Sequence, residues 1–422
     1  LSILLVSGAA CAEAEKSPRW EEDTLLGDFA GIRSILHDKG SSLEFTHKTD
    51  MVGNVSGGIR KGSSWMGYTD AKLTLDLQKL LNWDSMTFFA LFHSELGGKF
   101  DRDHVGSFAS VNNIEVRTNT AQLQHAWIQK NWMDDHFSLL TGLYAVDSEF
   151  YVTDVAGIFT QTPYGMANDL GKSGPPIYPY GAVGVRAKYT TPDRNLYLQA
   201  ALTDGVPGDP NNPHGTQIKL GGGDGVFSIF EMGYKPVKNK VQETSESASL
   251  DHFDARPSLN KVAIGYWRYS KNGDDLDPTK IDAIGNPLQH PNQGIYLLAE
   301  QALLIEKEDA SQGLTGFLRI GRTNREIYQS DWTGSLGMNY RGLFVGRNND
   351  IAGIGVTISH ADSVYRQLNA SLDYETSFEA TYLAQINNWF AVHPTVQHVI
   401  HPNMDPTIPN AWIAGMRLEV IL

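Results

Sequence analysis

The sequence predicts an all-β fold, a transmembrane antiparallel β-barrel of about sixteen strands with a short N-terminal helix. Three observations predict it. First, the terminal stretch alternates without a break. Trp412, Ala414, Met416, Leu418, Val420 and Leu422 share one parity, and Ile413, Gly415, Arg417, Glu419 and Ile421 share the other. A strand sends successive side chains to opposite faces, so one face is wholly apolar and the other carries an Arg and a Glu. A barrel with lipid outside and water inside accommodates that pattern at a chain end. Second, short connections alternate with long ones. Third, no run of 18 apolar residues follows Val6, so no transmembrane helix is expected.

The elements follow in chain order. Leu1–Val6 is apolar, and Ala10-Cys-Ala12 and Ala12-Glu-Ala14 fit a small-x-small cleavage pattern, so 1–14 reads as a signal-peptide remnant. The segment 15–41 carries one helix, capped by Asp23 or Thr24. Leu25, Leu26, Phe29, Ile32, Ile35 and Leu36 fall on helical spacing, and Gly40 ends it. The barrel then occupies 42–422. Its expected strands are Ser42–Val52, Tyr68–Leu77, Met86–Leu96, Thr120–Lys130, Phe137–Val146, Gly181–Thr190, Asn195–Thr203 and Gly225–Tyr234. They continue with Val262–Ser270, Gly294–Leu304, Leu314–Thr323, Ser335–Arg341, Asp350–His360, Leu372–Gln385, Phe390–Ile400 and Asn410–Leu422.

Short connections include Asn82–Ser85, Trp132–His136, Pro192–Arg194 and Asn387–Trp389. Long ones include 53–67, 97–119, 147–180, 204–224 and 271–293. Short turns on one rim and long loops on the other mark an outer-membrane barrel, a rhythm that a soluble sandwich gives no reason for. Lys235–Lys261 breaks the rhythm, as an insertion or an unrecognised hairpin on the short-turn rim. Strand parity supports a lipid-facing side: Leu73, Leu75 and Leu77 oppose Lys72, Thr74 and Asp76. Tyr68, Trp127, Trp132, Tyr189, Tyr234, Trp267, Trp389 and Trp412 lie near strand ends, where interfacial girdles are expected.

Composition narrows the function. Mean hydropathy of −0.29 does not argue against a barrel, whose strands are apolar on one face only. The net charge of −14 argues against a nucleic-acid partner. Cys11 is the sole cysteine, so no internal disulfide forms. The motifs of serine hydrolases, zinc peptidases and P-loop enzymes are missing, and no enzyme activity or cofactor is expected. His393 and His398 have opposite parity, which argues against a metal site with His401. Asp101-Arg-Asp103 and Gly273–Asp277 read as solvated acidic loops rather than calcium sites.

Several blocks resemble the carbohydrate-selective outer-membrane porins of the OprB type. They are Leu25-Leu-Gly-Asp-Phe-Ala-Gly-Ile-Arg33 with Asp38-Lys-Gly40, Tyr68–Asp76 with Lys79, Leu80 and Trp83, Tyr180–Gly184, and Glu300–Leu303. Gly342–Asp350 with Gly353–Gly355, and Tyr374-Glu375 with Trp389, Pro394, Gln397 and Pro402, complete them. The resemblance covers most of the chain after about residue 20. Phe29-Ala30 stands where the family favours Trp-Gly, and Leu422 where outer-membrane strands typically end in Phe.

The resemblance implies a sixteen-stranded barrel of monomer size, in the outer membrane of a Gram-negative bacterium, that passes glucose and related monosaccharides by facilitated diffusion. Outer-membrane lipid and lipopolysaccharide would surround it, and 15–41 would be periplasmic. Alternatives are a barrel channel for other polyols or organic acids, and a soluble carbohydrate-binding or hydrolytic β-protein. A channel for a neutral, hydroxyl-rich solute calls for many donors and acceptors and little net field. The polar parity supplies candidates for the pore wall: Lys72, Asp76, His93, Glu95, Arg186, Lys188, Glu231, Arg268, Glu300, Arg319, Asp373, Glu375, Glu379, Arg417 and Glu419. Arg186, Arg268, Arg319, Glu231, Glu300 and Glu375 lie mid-strand, where the narrow zone is expected. The loop 147–180 is rich in aromatics and prolines, and is expected to fold in as a constriction.

Overall fold

A computed structural model describes residues 19–221, 223–236 and 260–422. Among these, sixteen antiparallel strands form one closed barrel in sequence order. They are β1 (Ser41–Ser56), β2 (Gly62–Asp76), β3 (Met86–Gly97), β4 (Thr120–Trp132), β5 (Phe137–Tyr144), β6 (Ala182–Thr190), β7 (Leu196–Asp204) and β8 (Val226–Tyr234). Then come β9 (Asn260–Tyr269), β10 (Gln293–Ile305), β11 (Gly313–Thr323), β12 (Ser330–Arg341), β13 (Ile351–Ala361), β14 (Tyr374–Gln385), β15 (Phe390–Ile400) and β16 (Ala411–Ile421). Each coincides with an expected strand. The segment 1–14 and most of the 235–261 connection lie outside the described residues.

Period-two burial runs through the strands because one face meets lipid and the other meets the lumen. Leu198, Phe230, Ile264, Leu297, Ile320 and Phe378 stand exposed on the outer parity. Their neighbours Gln199, Glu231, Gly265, Leu298, Arg319 and Glu379 are buried inside. The terminal strand behaves as its alternation predicts. β16 pairs with β1 from Thr46↔Ile421 to Val52↔Gly415 and closes the ring. Lys48 stands opposite Glu419 and Asp50 opposite Arg417, so opposite charges face each other across the seam.

The expected N-terminal helix is two short helices, α1 (Trp20–Asp23) and α2 (Ile32–Asp38). Between them the backbone takes positive φ at Gly27, Phe29, Ala30 and Gly31, which no α-helix accommodates. The Asp28 side chain accepts from Ser34 N at 2.8 Å and Ser34 Oγ at 2.6 Å, and so fixes this bend. The segment is fastened to the seam. Leu25 N donates to the Ile421 carbonyl at 2.9 Å, and Arg33 Nη2 to the Leu422 carbonyl at 2.5 Å.

The girdle expectation needs correction at three positions. Tyr68, Trp127 and Trp267 are buried on the lumen side, whereas Trp132, Tyr234 and Trp412 are exposed on the outside. The three inward rings pack against loops that enter the barrel, so polarity alone does not mark the lumen face there.

Candidate functional site: the lumen

Two of the long loops fold into the barrel. The loop 145–181, between β5 and β6, carries four short helical turns, and Phe150, Tyr151, Phe159 and Tyr164 are fully buried within it. Tyr151 stacks on Tyr296 of β10 with ring centroids 3.9 Å apart. Phe159 stacks on Tyr164 at 4.4 Å, and both lean on Phe317 of β11. The loop 98–119, between β3 and β4, enters as well, with Phe100, Val105, Val111 and Ile114 buried.

An irregular segment inside a barrel brings backbone N–H and C=O groups that lack ladder partners, and those need satisfying. The wall supplies the partners. Glu231 of β8 accepts from Tyr151 N at 2.9 Å, and from the hydroxyls of Tyr197 and Tyr296 at 2.8 and 2.7 Å. Glu300 of β10 accepts from Val155 N at 2.6 Å. Glu379 of β14 accepts from Thr160 N at 2.7 Å and Gln161 N at 3.1 Å. Glu375, four residues earlier on the same face of β14, accepts from Phe108 N, Ala109 N and Asn403 N at 2.6, 2.8 and 2.5 Å. Arg319 of β11 does the converse. It donates to the carbonyls of Tyr151 and Gly165, each at 3.4 Å, and to that of Pro163.

Most other inward charges have side-chain partners. Arg186 of β6 donates to Glu149 at 2.7 Å, Ser138 Oγ at 2.6 Å and Gln129 Oε1 at 2.6 Å. Lys188 lies 3.9 Å from the same Glu149. Arg417 forks onto Asp50 at 2.7 and 2.8 Å and reaches Asn113 of the second loop at 2.6 Å. Glu419 lies 3.3 Å from Lys48, and Glu95 lies 2.5 Å from His93. Lys72 faces inward across from Glu44. Asp76 ends β2 and caps the following helical turn, accepting from Gln78 N and Lys79 N.

Two expected wall residues are elsewhere. Arg268 shares the exposed parity of Val262, Ile264 and Tyr266, so it faces outward. On β9 the inward places go to Ala263, Gly265, Trp267 and Tyr269. Asp373 precedes β14, is exposed, and pairs with Arg366 of a short surface helix. Sequence reasoning missed Asp50 and Glu149, the acids that hold Arg417 and Arg186. Asp50 was readable, since it shares the parity of Glu44, Thr46 and Lys48 on β1. Glu149 sits in a loop, where no period marks direction. The entry of loop 98–119 carried no sequence signal beyond its length.

Electrostatics in the loops follow burial. Asp169 is pushed up to about 6, chiefly by desolvation, although Thr333 Oγ1 donates to it at 2.8 Å. Burial also raises Asp101 to about 6 and Glu115 to about 7. No group of three or more metal-ligating side chains is gathered among the described residues.

A family model described as the carbohydrate-selective porin, OprB family, matches residues 60–422. Porin B of Pseudomonas aeruginosa is 22% identical over 455 residues, covering 99% of this chain and 94% of that protein. The high-pH structure of Pseudomonas putida OprB superposes with a TM-score of 0.82 at 21% identity, covering 95% of this chain and 99% of that one. The low-pH structure of the same protein gives 0.60 at 18% identity, covering 96% and 100%.

Proposed function

Because the chain belongs to the OprB family of carbohydrate-selective porins, we propose that its barrel passes neutral monosaccharides such as glucose, and does so as a monomer. The protein is a porin of the Gram-negative outer membrane, and its family is one of channels rather than enzymes. In this reading the short-turn rim and the segment 15–41 face the periplasm, the barrel spans 42–422, and loop 147–180 narrows the path. Outer-membrane lipid and lipopolysaccharide surround the exposed outer parity.

The observation that carries the substrate reading is the pairing of charge inside the wall. Arg186 with Glu149, Arg417 with Asp50, and Lys48 with Glu419 cancel locally. Paired charges, together with glutamates whose oxygens are taken up by loop N–H groups rather than left open to the pore, offer donors and acceptors with a damped field, which suits a neutral solute better than an ion. One chain closes the barrel, so the pore needs no second copy.

Purified protein in planar bilayers tests this. Glucose is expected to interrupt the single-channel current and to swell liposomes, from a species whose mass in detergent is that of one chain. Free permeation of an organic acid, with no glucose block or swelling, overturns the sugar reading.

A further inference from the structure

Two arginines stand on the outer wall rather than in the lumen. Arg268 takes the last outward position of β9 and Arg322 the last outward position of β11, both at the long-loop rim. Both are exposed. Among the described residues, neither side chain has an ion-pair or hydrogen-bond partner. They are two strand spacings apart, about 10 Å across the sheet. Gln293, the first residue of β10, lies between them and stands directly opposite Arg268. The Tyr266 hydroxyl donates to Gln293 Oε1 at 2.8 Å, which leaves the Gln293 amide nitrogen to donate elsewhere.

Below this polar trio the wall is apolar. The outward positions running away from the rim are Tyr266 and Ile264 on β9, Ile295 and Leu297 on β10, and Ile320 and Leu318 on β11, all exposed. An aromatic row continues the rim sideways. Trp332 of β12 stands opposite Arg322, His360 of β13 opposite Trp332, and Tyr374 of β14 opposite His360. Their ring centroids are 5.7 Å apart for Trp332 and His360, and 4.9 Å for His360 and Tyr374. Such a row marks the level of lipid headgroups. The acids close by are already engaged: Asp331 Oδ1 lies 2.5 Å from His360 Nδ1, and Glu326 lies 3.1 Å from His290.

A lone arginine at such a rim extends its head into water and needs no partner. Two on one face, with an amide donor between them and apolar columns beneath, match an amphiphile with an anionic head. Guanidinium forks grip phosphate oxygens in pairs. We propose that Arg268, Gln293 and Arg322 bind the phosphorylated headgroup of lipid A, the glycolipid anchor of lipopolysaccharide, with its acyl chains on Ile295, Leu297, Leu318 and Ile320. The proposal rests on the orientation given above, which puts the long-loop rim in the outer leaflet. A lipid fits better than free phosphate, because a plain anion has nothing to lay on the apolar columns.

The test uses the full chain in detergent micelles, with diphosphoryl lipid A as the probe and native mass spectrometry to count bound lipid. Loss of each fork is expected to weaken binding about tenfold, so Arg268→Gln with Arg322→Gln weakens it about a hundredfold. Phosphatidylglycerol binding changes far less, since its single phosphodiester cannot engage both forks. Heat-modifiable gel mobility shows whether the double variant is folded. If it is not, Arg322→Gln alone is read, with about a tenfold loss expected. Unchanged lipid A binding in a folded variant, an equal loss for phosphatidylglycerol, or full displacement of lipid A by inorganic phosphate overturns the site. Ile284→Cys in the loop after β9, in a Cys11→Ser background, checks orientation separately. A membrane-impermeant thiol reagent is expected to label it on whole cells. Labelling only after the cells are opened reverses the barrel and overturns the orientation itself, an outcome distinct from failure to bind lipid A.

Discussion

The tether between Glu379 and the inserted loop is the most direct place to test how the lumen is held. In Glu379→Gln the shape is kept, but one carboxylate oxygen becomes an NH₂ donor. Oε1 of Glu379 takes Thr160 N at 2.7 Å, Thr160 Oγ1 at 2.9 Å and Thr395 Oγ1 at 3.2 Å, while Oε2 takes Gln161 N at 3.1 Å. The amide oxygen best replaces Oε1, which turns the amide nitrogen toward the Gln161 N–H, donor against donor. One charge-assisted bond is lost and the others become neutral ones. Charge-assisted bonds contribute about 1.5–3 kcal/mol, so the lost bond alone weakens the local tether by up to about 3 kcal/mol. At that bound it is roughly a hundredfold in the open population of the segment. The opening stays local, because Glu231 and Glu300 still hold Tyr151 and Val155, and Arg319 still holds Pro163. Hydrogen exchange at 159–162 is therefore expected to accelerate by up to about two orders of magnitude. The single-channel current should become noisier, while heat-modifiable mobility stays that of the folded barrel. Unchanged exchange at 160 and 161 together with a quiet current would refute the tether.

Three further outcomes follow from the wall. Arg319→Ala removes a buried cation and three bonds to loop carbonyls, so the barrel still assembles while the reversal potential at low salt moves toward cation preference; an unmoved potential counts against it. Arg268→Ala leaves that potential where it is, because Arg268 faces outward, and a shift would contradict the assigned parity. The third concerns pH. Asp101 accepts from Ser107 Oγ at 2.7 Å, yet burial pushes its carboxyl from 3.8 up to about 6. An acid whose pKa is higher packed than unpacked binds its proton more tightly when packed. Packing of loop 98–119 is thus favoured at low pH and loses that advantage as pH rises from about 4 to about 6, worth roughly 3 kcal/mol at most. Exchange at 101–109, corrected for intrinsic rates, is expected to quicken as pH rises from about 4, continuing to about 7 because Glu115, which accepts from Asp101 N, is raised to about 7 in the same loop, and Asp101→Asn to remove only the lower part of the dependence. A wild-type profile that is already flat defeats the argument.

The strands were legible because lipid and lumen impose a period of two on every one of them. Met86–Gly97 and Phe390–Ile400 begin or end within a residue of their expected bounds. The inward charges were legible for the same reason, as with Arg186, Glu231, Arg319 and Glu379. What they do was not legible. Their partners are backbone groups of loops far away in sequence, and a backbone N–H carries no sequence signature. Arg268 shows where the period misleads. On β9 both faces are mostly apolar, Val262, Ile264 and Tyr266 outside and Ala263, Trp267 and Tyr269 inside, so a single charge near the strand end did not mark the lumen face. The broken N-terminal helix had a readable sign in Gly27 and Gly31, four residues apart. The apolar spacing across them fitted one helix only if both glycines were helical, and they take φ of 57° and 85° instead.

The use of glutamates for this task has a physical reason. A loop drawn into a barrel presents clustered N–H donors in turns, where ladder partners are missing and water access is poor. A carboxylate accepts on both oxygens, up to about four donors, where an amide side chain has only one accepting oxygen and an apolar side chain none. Glu375 takes three such donors from two different loops, 98–119 and 401–410, and so binds both to one strand. The same carboxylate is then neither a free charge in the pore nor an ion-attracting ring. Its negative charge is spread over the donors that it holds, just as the cation of Arg319 is spread over loop carbonyls. A charge substitution in this wall is therefore first a change in loop tethering and only second a change in field. On that argument a charge-conserving exchange is not neutral. Glu379→Asp keeps the sign but withdraws the carboxylate by one methylene, and it should loosen 159–162 nearly as much as Glu379→Gln does. If Glu379→Asp instead preserves exchange at 160 and 161 while Glu379→Gln does not, charge rather than reach is what holds the loop.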